Sequence, residues 1–200
     1  MSESEMGLRD RLIEVGVDLV TREGAQSLTL REIARRAGVS HGAPRRYFPT
    51  HLDLLSAIAR RGFADLGARA ETAIGDDDGD GDGDGDTNPR AQLMTLGRVY
   101  LDFALAQRGM YELMFRHDLL ESGTLGLRET SLPLFGVLVD LVGRVRPHAD
   151  AAVVAGALWA NLHGIAQLWG WGSLQLATGA EDFVPLLTAA LDAHLGPEER

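Results

Sequence analysis

The sequence predicts an all-α protein in which a small N-terminal helix-turn-helix unit precedes a larger helical body, and three observations carry that prediction. Apolar residues recur at three- and four-residue spacing through most of the 200 residues, and no segment alternates polar with apolar as a half-buried strand does. Between Leu28 and Phe48, two short segments with helix-start signals meet at a glycine. Charge is also divided along the chain. The formal net charge is −10, yet from Arg22 to Arg61 eight arginines face only Glu23, Glu32 and Asp53, a local balance of +5 that leaves about −15 on the remainder. An acidic body is repelled by a polyanion unless a basic face is turned to it, so this polarity nominates the N-terminal segment as the face for nucleic acid. Arginines such as Arg35, Arg36, Arg60 and Arg61 are equally at home as solvated helix positions.

The first element follows from Leu8, Leu12, Val15 and Leu19 on one side, joined by Ile13 and Val20, with Gly24 as C-cap; it is a support helix. The second starts at Thr29, whose hydroxyl can accept the Glu32 amide while the Glu32 carboxylate reaches back, a reciprocal capping box. Leu30, Ile33, Ala34 and Ala37 share its inner face. Gly38 supplies the left-handed turn, Val39 tucks inward, and Ser40 is placed to cap the next helix. Thr50 with Asp53 forms another capping box. It opens a long connecting helix, about residues 50–74, through Leu54, Leu55, Ile58, Phe63 and Leu66 towards Ile74.

Residues 1–66 thus form one predicted domain, and its neighbour is unlike it. Asp76 to Asp86 reads DDDGDGDGDGD, with nothing apolar to bury, so residues 75–88 are expected to be a disordered acidic insert. Alternating aspartates imitate an EF-hand start, but the twelfth position is Thr87, Pro89 or Ala91, never glutamate. Residues 89–200 are helical again. A stripe of Leu93, Leu96, Tyr100, Phe103 and Ala104 comes first. Four or five further helices are expected, among them Met110 to Phe115, Leu132 to Val145, Ala151 to Trp171 and Phe183 to Leu195.

Helix-turn-helix spacing alone also fits hairpins that never touch DNA. The order of residues says more: Thr29-Leu-Arg31-Glu-Ile-Ala34, then Ala37-Gly-Val-Ser40, then Tyr47-Phe48-Pro49, resembles the tetracycline-repressor (TetR) family over roughly residues 8 to 66. In such a motif the second helix enters the major groove, which here presents His41, Gly42, Ala43, Arg45, Arg46 and Tyr47, with Ser40 at its start. Arg45 or Arg46 can make the bidentate contact to guanine, while Gly42 and Ala43 allow close approach or meet a thymine methyl. The resemblance makes Thr29, Arg31 and Tyr47 part of the DNA face, Thr29 and Tyr47 as phosphate contacts. It also puts His51 where the family usually holds a phosphate with lysine, and a mostly neutral histidine holds it less strongly. Pro44 and Arg45 stand where a leucine-tyrosine pair is more usual. Pro44 removes an amide and crowds the Ser40 carbonyl, so the first turn is expected to be distorted or to begin later.

In the body, Trp159-Ala-Asn-Leu-His163-Gly164 resembles a tryptophan, three residues, histidine-glycine signature found in one branch of the family. Trp159 and His163 fall one turn apart on one helix face, and Gly164 permits close helix contact. His163 reads equally well as a hydrogen-bonded core residue and as a ligand contact. The resemblance implies a cavity among these helices for a small apolar ligand, and Tyr100, Phe103, Met110, Met114, Phe115, Trp159, His163 and Trp169 are its candidate lining, although such residues also make ordinary cores. It further implies a homodimer through the last two helices, a palindromic double-stranded DNA operator, and release of that DNA on ligand binding.

Other classes have less support. Asn161, His163 and Gln167 interrupt the apolar run from Ala151, which argues for a buried or dimer-forming helix over a membrane span. No signal peptide is apparent and cysteine is absent, which fits a cytoplasmic protein and excludes disulfides, thiol catalysis and cysteine-ligated metal. No cofactor, metal or catalytic motif is predicted; His117-Asp118 has no nucleophile elbow beside it, and an enzyme is the distant alternative. The nearer alternative is a small-molecule-binding or interaction protein with a degenerate DNA reader.

Overall fold

The computed structural model describes residues 7–77, 88–121 and 126–197, and among these it contains ten α-helices and no strand. Six helices follow the first body helix, where four or five were expected. The chain divides into two compact units. One comprises Met1–Asp65 and Gln107–Ser131, the other Leu66–Ala106 and Leu132–Arg200.

The first unit begins with α1, Leu8–Glu23, which buries Leu12, Ile13, Gly16, Leu19 and Val20. Gly24 ends it at φ 82°, donating its amide to the Val20 carbonyl at 3.0 Å. A short 3-10 turn, Ala25–Ser27, leads to α2, Leu30–Arg36, and a second 3-10 turn, Pro44–Arg46, precedes α3, His51–Asp77. The Thr50–Asp53 capping box is complete: Asp53 N donates to Thr50 Oγ1 at 3.2 Å, and Thr50 N donates to Asp53 Oδ2 at 2.7 Å. Helix α3 runs three residues beyond the expected end, so Gly75, Asp76 and Asp77 are helical; the rest of the acidic insert, 78–87, lies outside the described residues.

After α4 (Pro89–Ala106) the first unit resumes with α5, Arg108–Met114, and α6, His117–Glu121. The sequence reading put Met110 to Phe115 in the body; the structure packs them in the reader's unit. Small residues make that packing possible. A Cβ at Gly109 would collide with the Val20 carbonyl oxygen and stand 2.9 Å from Gly24 Cα, while one at Gly62 of α3 would lie 2.6 and 2.7 Å from the Met114 and Met110 sulfurs. Apolar side chains at 110, 113 and 114 announce burial, but nothing local says against which helix.

In the second unit α4, α8 (Ala151–Gly170) and α10 (Val184–Leu195) pack against one another. Gly97 lets α4 approach Leu187, whose Cδ1 would be 2.5 Å from an added Cβ. The Asp150 carboxylate caps α8 by accepting from Ala152 N at 3.1 Å and Val153 N at 3.2 Å. At the C-terminus of α10, Arg90 donates to the Gly196 carbonyl at 2.8 Å and Arg146 to the His194 carbonyl at 2.9 Å. Two cations thereby satisfy carbonyls at the negative end of α10. Helix α7, Leu127–Val145, starts five residues ahead of the expected apolar run and carries Pro133 inside it, and α9, Ser173–Thr178, is a short helix that the periodicity did not announce.

Candidate functional site

Thr29 caps α2 by accepting the Glu32 amide at 3.1 Å, but only this half of the expected box forms. The Thr29 amide donates instead to the Ser27 carbonyl at 2.9 Å, and the Glu32 carboxylate is taken by arginines. Arg35 donates to it from Nε at 2.9 Å and from Nη2 at 2.6 Å, Arg36 from Nε at 2.7 Å, and Arg36 also reaches Glu23 at 2.6 Å. These hydrogen bonds, from Arg35 first and then Arg36, hold the Glu32 carboxyl down at about 2. Helix α2 ends as predicted. Gly38 takes φ 68°, Val39 N donates to the Ala34 carbonyl at 3.0 Å and Gly38 N to the Arg35 carbonyl at 3.2 Å, the two bonds of a Schellman cap.

The next segment departs from expectation. Ser40 to Tyr47 does not form an α-helix and Ser40 caps none; a turn closed by Ala43 N to the Ser40 carbonyl, 3.0 Å, runs into the 3-10 turn Pro44–Arg46. Pro44 explains this, because it has no amide to give the Ser40 carbonyl and its fixed φ suits the first position of a tight turn. The Pro44 ring is buried, and its carbonyl accepts from Tyr47 N at 3.0 Å and Phe48 N at 2.9 Å. The turn leaves Arg45, Arg46 and Tyr47 exposed beside the buried Pro44.

Thr29, Arg31, Ser40, His41, Gly42, Arg45, Arg46, Tyr47 and His51 are all exposed, and Ala43 is half-buried. Electrostatically they differ from their neighbours. Arg22 pairs with Asp18 at 2.7 Å, Arg35 and Arg36 with Glu32, and Arg61 with Glu14. Arg31, Arg45 and Arg46 form no ion pair among the described residues. Of the eight arginines behind the +5 read from the sequence, four are thus paired with carboxylates, and Arg31, Arg45, Arg46 and the half-buried Arg60 form no ion pair among the described residues. His51 has a structural task as well: its Nε2 lies 2.7 Å from the Leu28 carbonyl, which can only accept, so Nε2 carries the proton. In the neutral ring Nδ1 is then an acceptor, and His51 can serve a phosphate only as imidazolium.

The body candidates separate into groups. The Tyr100 hydroxyl and His163 Nδ1 share a 2.9 Å hydrogen bond, Trp159 meets His163 edge-on at 5.9 Å between ring centroids, and Phe135, which the sequence reading did not include, meets Trp159 at 6.2 Å. Phe103 is buried one turn along α4 from Tyr100, with the Arg69 guanidinium 5.5 Å above its ring. Trp169 pairs with Phe183 instead. Met110, Met114 and Phe115 lie in the other unit, Phe115 edge-on to Phe63 at 5.6 Å.

His163 is half-buried, and desolvation pushes its pKa below 6.5. The unfolded chain therefore binds a proton more readily than the folded one, so this contribution to stability is full above about pH 6.5 and is lost as pH falls towards the folded value. Melting temperature should drop between about pH 7.5 and about pH 5.5, and His163→Gln should flatten that drop.

Comparison with known proteins places this geometry. Residues 12–58 match the family described as bacterial regulatory proteins, tetR family, and residues 93–191 match the tetracyclin repressor-like C-terminal domain. The HTH-type transcriptional repressor KstR of Mycolicibacterium smegmatis is 30% identical over 79 residues, a match covering 36% of this chain and 39% of that relative's length. A protein of unknown function from Rhodococcus sp. RHA1 is 28% identical, with 98% of this chain and 97% of that one aligned at a TM-score of 0.78. The fold is shared with Thermus thermophilus FadR in complex with lauroyl-CoA, at 21% identity, 96% coverage of both chains and a TM-score of 0.64.

Proposed function

The chain belongs to the tetracycline-repressor family of transcriptional regulators, and from that membership we propose a ligand-responsive dimeric repressor that binds a palindromic operator and releases it when a small apolar molecule enters its body. The observation that carries this reading is that Arg31, Arg45 and Arg46 are exposed and form no ion pair among the described residues, Arg45 and Arg46 directly preceding the exposed Tyr47, while Arg22, Arg35, Arg36 and Arg61 are each paired with a carboxylate. Cations left unpaired on one surface gain from counterion release when they meet phosphates or guanine edges.

A dimer is supported by α8. The helix is long and apolar enough to cross a bilayer, yet only 28% of its most apolar window is buried within the chain. Its inner stripe is Ala155, Leu158, Leu162, Ile165 and Ala166; its outer stripe shows Val153, 66% exposed, and Leu168, and the helix leads into Trp171, 62% exposed. Gly164 meets nothing within 4 Å of an added Cβ, leaving room for the close helix contact its sequence implied. A second copy paired through α8 and α10 covers this surface, and its two-fold symmetry requires a palindromic operator. We place the regulator in the cytoplasm, where that operator is.

The ligand reading rests on the ring cluster of Phe135, Trp159 and His163 with the hydroxyl of Tyr100: large apolar faces and one polar pair suit an apolar molecule with a single polar group. KstR is named a repressor, and the FadR structure is a complex with lauroyl-CoA, which supports repression and the binding of a ligand that carries a long apolar chain. Residues of α3 belong to both units, and a ligand that favours one setting of this helix couples to DNA binding. Ligand and DNA must then weaken each other by the same factor. Selecting fragments from a random DNA pool with the purified protein tests this. Recovery of a palindrome bound by a dimer supports it; salt-sensitive binding without sequence preference overturns it. That second outcome favours the alternative of a degenerate reader, which the Pro44 turn and the engagement of His51 by Leu28 favour in particular.

A further inference from the structure

We propose that Arg9, in the first turn of α1, is a further DNA anchor that holds a backbone phosphate beside the Pro44–Arg46 turn. The inference rests on the DNA-binding reading above and adds to it a residue from outside the helix-turn-helix. The Arg9 guanidinium carbon lies 5.5 Å from the centroid of the Phe48 ring. Phe48 is 2% exposed, while Tyr47, its immediate neighbour, is 44% exposed at the end of the reader turn. Contact with the ring therefore parks a cation from α1 at the edge of the surface that carries Arg45, Arg46 and Tyr47.

The cation has little else to do there. A positive charge in the first turn opposes the helix dipole, and Gly7 ahead of it makes no side-chain cap. Its ion pair is with the adjacent Asp10 at 3.6 Å, with side chains 45% and 56% exposed, a geometry that contributes little. The ring contact is its main local gain, and natural chains break such local rules chiefly at functional positions. Stacking on Phe48 leaves the N–H donors at the edge of the guanidinium plane available to an anion. Because Arg9 comes from α1, on the flank of the turn that faces base edges, its partner is a phosphate, which fixes register without reading sequence.

The charge and the packing are separable by substitution. Arg9→Met keeps an apolar contact with Phe48 and removes the charge; Arg9→Lys keeps the charge and loses the planar stack. Affinity for a fluorescent mixed-sequence duplex and for the selected operator would be followed against salt for each variant. Arg9→Met should weaken both duplexes by a similar factor, roughly tenfold at low salt, and lower the salt slope by about one per subunit, whereas Arg9→Lys should retain the slope. Unchanged slope and affinity in Arg9→Met, with any loss confined to the melting temperature of Arg9→Lys, would make Arg9 a packing residue and overturn the proposal. Loss on the operator alone would also overturn it, by assigning Arg9 to a base. Absence of salt-dependent binding in the unsubstituted protein would instead remove the DNA-binding reading on which it stands.

Discussion

Arg45→Ala and Arg46→Ala together are expected to weaken binding to the selected operator by about 10²-fold, with no change in melting temperature. Both side chains are exposed and neither forms an ion pair among the described residues, so truncation leaves no buried group unsatisfied. A bidentate contact to guanine discriminates by about 1–3 kcal/mol, and a phosphate contact contributes sequence-independent affinity on top of it. Single substitutions tell the two roles apart. The arginine that reads a base loses preference at one position of the operator, and the other weakens all duplexes alike and lowers the salt slope by about one. If both singles weaken every sequence equally, reading belongs to His41, Gly42 and Ala43, and the Pro44 turn has moved the arginines onto the backbone.

The turn matters because it alters how far each residue reaches. In an α-helix residues 41, 44 and 45 would share a face; the 3-10 turn at Pro44–Arg46 rises more per residue and returns to the same face after three. Arg45 and Arg46, consecutive in this turn, leave its axis about a third of a turn apart, which suits one for a base edge and the other for a phosphate.

Legibility in the sequence followed locality. The Thr50–Asp53 box, the Gly38 turn and the pairing of Trp159 with His163 one turn on are set by residues within five positions, and all three are present. Pro44 gave warning that the reader helix would be disturbed, though not that a 3-10 turn would replace it. The Thr29 box failed by half because Arg35 and Arg36 compete for the Glu32 carboxylate, and a charged donor outbids a backbone amide. What stayed hidden is long-range. Arg36 meets Glu23 across 13 positions and Arg61 meets Glu14 across 47, so counting charges could not show which arginines were left for DNA. Tyr100 meets His163 across 63 positions, and α5 joins the reader's unit although it follows the first body helix in the chain. Helix α9 escaped because six residues between Gly172 and Gly179, both left-handed, are too few to show a period.

Gly109→Ala is expected to be the most destabilising single-methyl change in the reader's unit, costing about 3 kcal/mol against thermal or denaturant unfolding. The new Cβ would collide with the Val20 carbonyl oxygen, 2.9 Å from Gly24 Cα and 3.4 Å from Val20 C. These are backbone atoms, and the Val20 carbonyl is already committed to the Gly24 amide that ends α1. No rotamer change relieves the clash, so α5 must withdraw from α1. Withdrawal unpacks Met110, Leu113 and Met114, each at most 1% exposed, and the loss far exceeds the helix propensity gained by alanine, roughly 1 kcal/mol. Gly62→Ala is the internal comparison. There the added methyl meets the Met110 and Met114 sulfurs at 2.7 and 2.6 Å, the movable parts of flexible side chains, so about half the cost is expected. Gly164→Ala completes the series, since nothing lies within 4 Å of its added methyl in the isolated chain. Propensity alone should then stabilise α8, by roughly 0.5–1 kcal/mol in a monomer. A loss of stability at Gly164 that grows with protein concentration would show a second copy resting on that face, which ties the ranking of three glycines to the dimer on which the operator's symmetry depends.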